Sequence, residues 1–301
     1  MQDSILNIGY EFEAIGTQWY IGTAEPLPAS VKQCLHQRIS IFDTTYSRFL
    51  SNSLITTIAT ATQGGTFPFP EDASPLFELY DILYKVTGGK VEPLIGSELE
   101  LLGYDANYSL QADPQAGYFN TNKQLPDWQK DVFRQGNCLT TQRPVTIDVG
   151  AAGKGYLVDI LSEILVDESI AEFVIDGGGD IRHKGDTEFI IGLEHPENRE
   201  MVIGTVPLKN SAICASATNR RKWGKDLHHI LNGRTGEPVQ DVVATWVIAE
   251  NALTADGLAT ALFFVDAEKL QPFFDFSFVR MFSDMCIDVS ENFKGTLFTK
   301  K

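Results

Sequence analysis

The spacing of apolar residues predicts a protein of mixed helices and strands, and three stretches carry the prediction. Pro144, Val145, Ile147 and Val149 read as a short buried strand, and after them Tyr156, Leu157, Ile160, Leu161 and Ile164 recur at the spacing of an amphipathic helix. Residues 7–24 alternate through Ile8, Tyr10 and Phe12, then Trp19 and Ile21, as a strand pair about Gly16-Thr17. From Glu172 to Ala249 short apolar runs recur, bounded by glycine and asparagine, with helical patterns before and after them.

In chain order, the first helix is capped by Ser30 and carries Val31, Cys34, Leu35, Ile39 and Phe42 as its apolar stripe, then runs into Tyr46-Ser47-Arg48-Phe49. The second has Ser74 at the cap, Pro75 in the first turn, Leu76, Leu79, Tyr80 and Leu83 inside, and Gly88-Gly89 as the stop. Residues 103–142 are polar and weakly periodic, with Asp113-Pro114 and Leu125-Pro126-Asp127 as turn signals, and read as loop with some strand. Glu172 to Asp176 is a compact strand ending in Gly177-Gly178-Gly179-Asp180, a tight turn or a place where backbone passes close to a ligand. Further strands are predicted at 188–193, 201–208, 212–216, 227–231 and 242–249. Asn232-Gly233 favours a tight hairpin, although the register out to Pro238 indicates a longer loop. Leu253 to Phe264 reads as a helix capped by Thr254, and a last helix near 267–274 and strands near 278–282 and 293–298 close the chain.

At 301 residues and 43% hydrophobic, the chain can bury a sizeable core in one large domain or two smaller ones. No apolar run is long enough to span a bilayer, and Met1-Gln2-Asp3-Ser4 lacks the basic then apolar pattern of a signal peptide, so a cytoplasmic protein is expected. Cys34, Cys138, Cys214 and Cys286 have no Cys-x-x-Cys spacing, which argues against a zinc site and a disulfide framework and for reduced, mostly buried thiols. A formal charge of -16 argues against nonspecific binding to nucleic acid or an anionic membrane. A phosphate-bearing ligand would need a site that is locally positive or metal-bearing.

Between the predicted strand and helix at 144–164, Gly150, Ala151, Ala152, Gly153 and Gly155 leave the turn without bulky side chains. A ligand can approach the backbone there, the first amides of the helix face an anion, and Lys154 adds a charge beside Asp148. Glycine and alanine also suit any tightly packed turn of this kind. The stretch is not a P-loop, because Asp148 and Gly155 stand where that motif needs Gly and Ser or Thr. Asp256 and Thr260 are four apart and share a helix face, two hard oxygens that suit magnesium or calcium, or simply a favourable carboxylate near a helix start and a packed threonine. His228 and His229, adjacent in a strand, point to opposite faces and cannot easily share one metal; either could serve as an acid or base. Ser216, Arg220, Arg221 and Trp223 form a small basic and aromatic cluster that either contacts phosphate or is a surface loop.

Taken in order, Ser47-Arg48-Phe49, Gly88-Gly89, Asp148 to Gly155, Asp176 to Asp180, His229-Ile230, Arg234-Thr235-Gly236 and Ala255 to Thr260 resemble the ApbE family of FAD:protein FMN transferases, over nearly the whole chain. The resemblance implies an α+β fold of mixed, mostly antiparallel sheets with packed helices and a T-fold-like architecture. It implies one domain over residues 1–301, divisible into two subdomains meeting at an FAD site. It further implies bound FAD, a magnesium ion (Mg2+) on its pyrophosphate, and transfer of FMN to a Ser or Thr hydroxyl in the flavinylation motif of an acceptor protein, with release of AMP.

Position by position, it implies metal binding by the Asp256 carboxylate, the Thr260 side chain and the Ala151 carbonyl. Flavin-nucleotide contacts fall at Asp148 and Lys154, a short FAD-binding segment at Lys90, Val91 and Glu92, an aromatic contact at Phe49, and a further contact at Ile230. His229 matches the family's histidine, a candidate acid or base beside Asp256. Three positions depart from the family pattern: Glu92 stands for Asp, Ser216-Ala217 for Ser-Gly, and Asn232-Gly233 for Asp-Pro. Rival expectations are hydrolysis of FAD to FMN and AMP at the same site, a non-catalytic FAD-binding protein, and a structural module.

Overall fold

The computed structural model describes residue 6 and residues 8–120, 122–224 and 226–298; Met1 to Ser4, which bear on the signal peptide, and residue 7 of the first predicted strand pair lie outside the described residues. The N-terminal half comprises β1 (Ile8–Ala14), β2 (Thr17–Thr23), α1 (Ala29–Tyr46), α2 (Leu54–Thr60), β3 (Gly65–Pro68), α3 (Ser74–Thr87), α4 (Gly96–Leu101), α5 (Trp128–Asp131), β4 (Val132–Gln135) and β5 (Cys138–Thr141). Next come α6 (Gly153–Asp167), β6 (Phe173–Gly177), β7 (Ile181–Lys184), β8 (Phe189–His195), β9 (Asn198–Leu208), β10 (Ala212–Ala217), β11 (Lys222–Trp223), β12 (Leu227–His228) and β13 (Val242–Ala249). The chain closes with α7 (Ala252–Ala261), β14 (Phe276–Phe282), β15 (Ile287–Val289) and β16 (Thr296–Leu297).

An eight-stranded sheet of order β1-β2-β6-β7-β10-β13-β14-β15 carries the molecule, and every strand pair among the described residues is antiparallel. The period-two alternation of its strands sorts their side chains between two cores. From β10 and β13, Cys214 and Val247 join the larger core with α1, α3, α6 and α7, whereas Ile213 and Trp246 join the smaller core under the β16-β9-β8 sheet. The fold is thus α+β, as expected.

Local chemistry explains where the elements differ from the sequence reading. Val145, Ile147 and Val149 are buried as expected, but residues 144–149 form no strand; Asp148 N donates to Pro93 O at 2.7 Å. Ser30 lies inside α1, whose N-cap is Pro28, and the α7 cap is Asn251, whose Oδ1 accepts from Thr254 N at 2.8 Å. Ser74 is likewise the first helical residue of α3, which ends as predicted at Gly88 in the left-handed region, φ 65°. The predicted last helix is a short 3-10 turn, Ala267–Lys269. Burial of the thiols is also corrected: Cys34 and Cys286 are exposed, Cys138 is half-buried and only Cys214 is buried, because Cys34 falls beside the α1 stripe rather than on it. No described helix is long and apolar enough to cross a membrane.

The closest helix packing in the core is between α6 and α7. A Cβ at Gly155 would lie 2.1 Å from the Ala252 carbonyl oxygen and 2.7 Å from Asp256 Cβ, so a side chain there would wedge the two helices apart. Gly155→Ala is expected to lower stability by about 1–3 kcal/mol, as overpacking of a tight core does, measured by urea unfolding. Parent stability in that variant would show that the helices can separate without cost.

Candidate functional site

Because Gly155 brings α6 against α7, its backbone N–H donates to Asp256 Oδ2 at 2.9 Å. The start of α6 therefore does face an anion, as the sequence suggested, but that anion is the protein's own carboxylate. Asp256 is only 1% exposed. Burial and the neighbouring Asp180 carboxylate push its pKa up to about 7, against the opposing pull of Lys154 and the Gly155 amide. One turn on, Thr260 Oγ1 donates to the Ala151 carbonyl at 3.3 Å. The three residues expected to hold a metal thus lie together, and their hard oxygens fit magnesium in kind. The described residues contain no group of three or more His, Cys, Asp or Glu side chains that could hold a metal, so a softer zinc-like cage is not the alternative.

Lys154 extends to the same place. Its Nζ pairs with Asp180 Oδ2 and lies 3.8 Å from Asp256 Oδ1. Burial alone would lower the lysine pKa, but the two carboxylates outweigh it and raise it. Asp180 comes from the triple-glycine turn between β6 and β7, where Gly178 and Gly179 take positive φ of 69° and 99°, conformations that favour glycine.

A second wall is built by a pair separated by 100 positions: Arg48 Nε donates to Asp148 Oδ2 at 2.6 Å, and Gly150 N donates to Asp148 Oδ1 at 2.7 Å. Burial would raise the Asp148 pKa, but the guanidinium and the amide hold it below the usual carboxylate range. The Arg48 guanidinium lies 4.2 Å from the Phe49 ring centroid and 4.9 Å from that of Tyr104, and Phe49 stacks on Tyr108 at 5.7 Å and 11°.

The third wall joins two chain segments through Gly233, where an added Cβ would meet Glu92 Cβ at 2.2 Å. Gly233 N donates to Lys90 O at 2.8 Å, which sets residues 89–92 beside 229–234. Asn232-Gly233 is not a tight two-residue hairpin turn: Leu231 bridges Pro238, and the positive φ in the loop falls at Gly236, 72°. Glu92 directs both carboxylate oxygens to backbone, accepting from Leu94 N at 2.9 Å and Trp128 N at 3.1 Å. Val91 N is fixed by Thr87 Oγ1 at 3.0 Å, and Lys90 Nζ lies 3.4 Å from Phe264 O.

The adjacent histidines separate, but not by strand alternation: the strand predicted over 227–231 is only Leu227–His228, and His229 stands in the bend that follows it. His228 is buried, its Nε2 hydrogen-bonded to Val239 O at 2.8 Å and its Nδ1 accepting from Ile230 N at 3.3 Å. His229 turns to the other side, half-buried, with an enclosed Nδ1 that has no hydrogen-bond partner. Burial, then the nearby Arg221, push its pKa down to about 3.

All these walls enclose one cavity of about 610 Å³. Phe49, Lys90, Val91, Glu92, Asp148, Ala151, Lys154, His229, Ile230, Asp256 and Thr260 all line it. Of the basic and aromatic cluster, Ser216, Arg220 and Arg221 line it too, whereas Trp223 is buried behind, donating from Nε1 to Leu102 O at 2.8 Å. Sequence reasoning assigned no role to three residues that line it, nor to Asp180, which lies behind the wall as the partner of Lys154. Arg48 and Asp180 stood within quoted motifs, where a charged residue beside Phe49 or glycine was the available signal. Tyr80 read only as helix interior, and Tyr104 lay in the stretch without periodicity.

A buried carboxylate, a hydroxyl, a carbonyl and a lysine thus meet in one cavity beside an aromatic and guanidinium wall. The chain belongs to the ApbE family: the family's sequence model matches residues 3–278. A protein of Klebsiella pneumoniae named FAD:protein FMN transferase is 23% identical over 275 residues, spanning 86% of this chain and 79% of its own length. One of the same name from Chlamydia pneumoniae is 25% identical over 269 residues, with 84% and 81% covered. Among solved structures, the ApbE protein of Thermotoga maritima superposes with a TM-score of 0.83 over 94% of this chain and 97% of its own, at 24% identity. The flavin transferase ApbE of Vibrio cholerae does so with a TM-score of 0.74 over 95% and 98%, at 19% identity. These two likenesses are of fold.

The depressed His229 pKa fixes a pH dependence. Below its ordinary pKa of about 6.5 the unfolded chain takes up a proton that the folded site refuses until about pH 3. Its contribution to stability is therefore full above pH 6.5 and is lost as pH falls through that window. His229→Asn is expected to flatten the fall in unfolding free energy between pH 6.5 and 4, followed by urea titration of the ligand-free protein. An unchanged slope would show that the imidazole is not desolvated.

Proposed function

We propose that the chain transfers FMN from FAD to a Ser or Thr hydroxyl of an acceptor protein, releasing AMP, with magnesium at Asp256, Thr260 and Ala151. The observation that supports this best is the convergence of those three oxygen donors with Lys154 in the one cavity that Phe49, Asp148 and His229 also line. The names of the family relatives point to the same reaction.

Magnesium, when bound there, would screen the pyrophosphate and stabilise charge developing on its oxygens. Lys154, held at the start of α6, adds a fixed positive charge on the same side. Asp148 keeps Arg48 against Phe49, so the aromatic wall is oriented before FAD enters. In the reaction, the acceptor oxygen bonds to the FMN-side phosphorus, the bond from that phosphorus to the bridging oxygen breaks, and AMP leaves with that oxygen. The hydroxyl proton passes to the His229 imidazole, which lines the same cavity. An imidazole with so low a pKa is a weak base, so it accepts the proton only as the oxygen–phosphorus bond forms, and positioning and electrostatics carry more of the rate.

Incubation of the protein with FAD and a Ser/Thr acceptor peptide, with and without magnesium, is expected to give magnesium-dependent AMP and flavin covalently on the peptide. AMP with free FMN would instead identify hydrolysis, and FAD bound without AMP a carrier. Asp256→Ala is expected to lower magnesium-dependent turnover at least about a hundredfold, the loss of a few kcal/mol of charge stabilisation. Parent activity in that variant would remove Asp256 from the cation site.

A further inference from the structure

We propose that Asp180 is a positioning residue that holds the Lys154 ammonium away from Asp256 and so keeps the Asp256 carboxylate open to a divalent cation. The inference rests on the cation site just described. Lys154 stands between two carboxylates, yet it is shared unequally: it is in contact with Asp180 Oδ2 but 3.8 Å from Asp256 Oδ1, beyond a hydrogen bond. Asp180 is 1% exposed, and its other oxygen, Oδ1, is enclosed without any hydrogen-bond partner. Among the described residues Lys154 supplies the side-chain contact of Asp180, and no backbone amide competes for it.

That arrangement has a purpose only if the lysine has somewhere else to go. An ammonium on a flexible stem, with Asp256 within reach, would close the shorter ion pair if nothing restrained it. It would then occupy the carboxylate oxygen that a cation needs and act as an internal competitor. The restraint is itself rigidly placed. Gly177 N donates to Asp180 O at 2.9 Å and Gly179 N to Asp176 Oδ1 at 2.7 Å, closing the triple-glycine turn that presents Asp180. The Asp-Gly-Gly-Gly-Asp sequence thus aims a carboxylate at a lysine from another element.

The test is a double-mutant cycle read as manganese affinity, by titration calorimetry on the full chain with FAD present, so that the readout is binding rather than turnover. Asp180→Asn, which keeps shape and removes the anchor, is expected to weaken manganese binding about tenfold, within the coupling range of contacting charges. In a Lys154→Met background the same Asp180→Asn change is expected to alter affinity by less than about twofold, because the competitor is gone. An equal tenfold loss in both backgrounds would overturn the proposal, since Asp180 would then be acting directly on the metal. No loss in either background would leave it a structural residue and overturn the proposal as well. Should Lys154→Met fail to fold, a cation-free crystal structure of Asp180→Asn decides: Lys154 Nζ moved into hydrogen-bond contact with Asp256 is expected, and an unmoved ammonium overturns the idea. If the parent takes up no manganese with FAD bound, the cation site itself is wrong and the inference falls with it.

Discussion

The contact on which the site depends is the hydrogen bond from the Gly155 amide to the buried Asp256 carboxylate. A carboxylate that is 1% exposed is costly unless its oxygens are compensated. Here the first turn of α6 and, at 3.8 Å, Lys154 provide only part of the compensation, and burial with the neighbouring Asp180 still raises the pKa. The contact needs a residue without a side chain at the crossing of α6 and α7, which is why a glycine with ordinary φ is required there on purely steric grounds. The neighbours follow from it: Ala151 stands just before α6 and Thr260 one turn beyond Asp256, so their mutual hydrogen bond is set by the same crossing.

How much of this was legible in the sequence depended on whether the signal was local. The strand pair at 8–23 and the α3 stop at Gly88-Gly89 were readable, because alternation and a left-handed glycine are properties of a few adjacent residues. Residues 144–149 were read as a strand because burial gives the same apolar pattern whether or not a partner strand exists. The caps at Ser30 and Thr254 were each misplaced, since several residues near a helix start can cap it and geometry alone chooses among them.

The candidate site was legible as a set of residues but not as a mechanism of assembly. All eleven positions carried over from the family resemblance line one cavity, yet their partners come from far away in sequence. Arg48 meets Asp148 and Lys154 meets Asp180 only because the sheet and α6 bring separate segments together. Glu92 shows what matching by position leaves out. The sequence places it in a ligand-binding segment, and the structure adds that both its oxygens accept from backbone amides and so shape the segment between Lys90 and Leu94.

Net charge poses the remaining physical question, since a chain of formal charge -16 has to hold a dinucleotide anion on the proposed reading. The cavity answers it locally. Six of its lining residues are Lys or Arg and four are Asp or Glu, so cationic groups are concentrated there, although Lys154 and Arg220 are themselves paired with Asp180 and Glu194. The charges are also divided in function. Arg48 and Lys154 are each bound to a carboxylate and therefore fixed in place, whereas among the described residues Arg221 has no carboxylate partner within salt-bridge distance and instead lies 5.4 Å from the Tyr104 ring centroid. On that reading, fixed charges would define where a pyrophosphate sits, because they cost no reorganisation when it arrives. A free guanidinium over an aromatic ring can turn to meet it. The acidic remainder of the surface then repels other anions and leaves this cavity as the place where one is favoured.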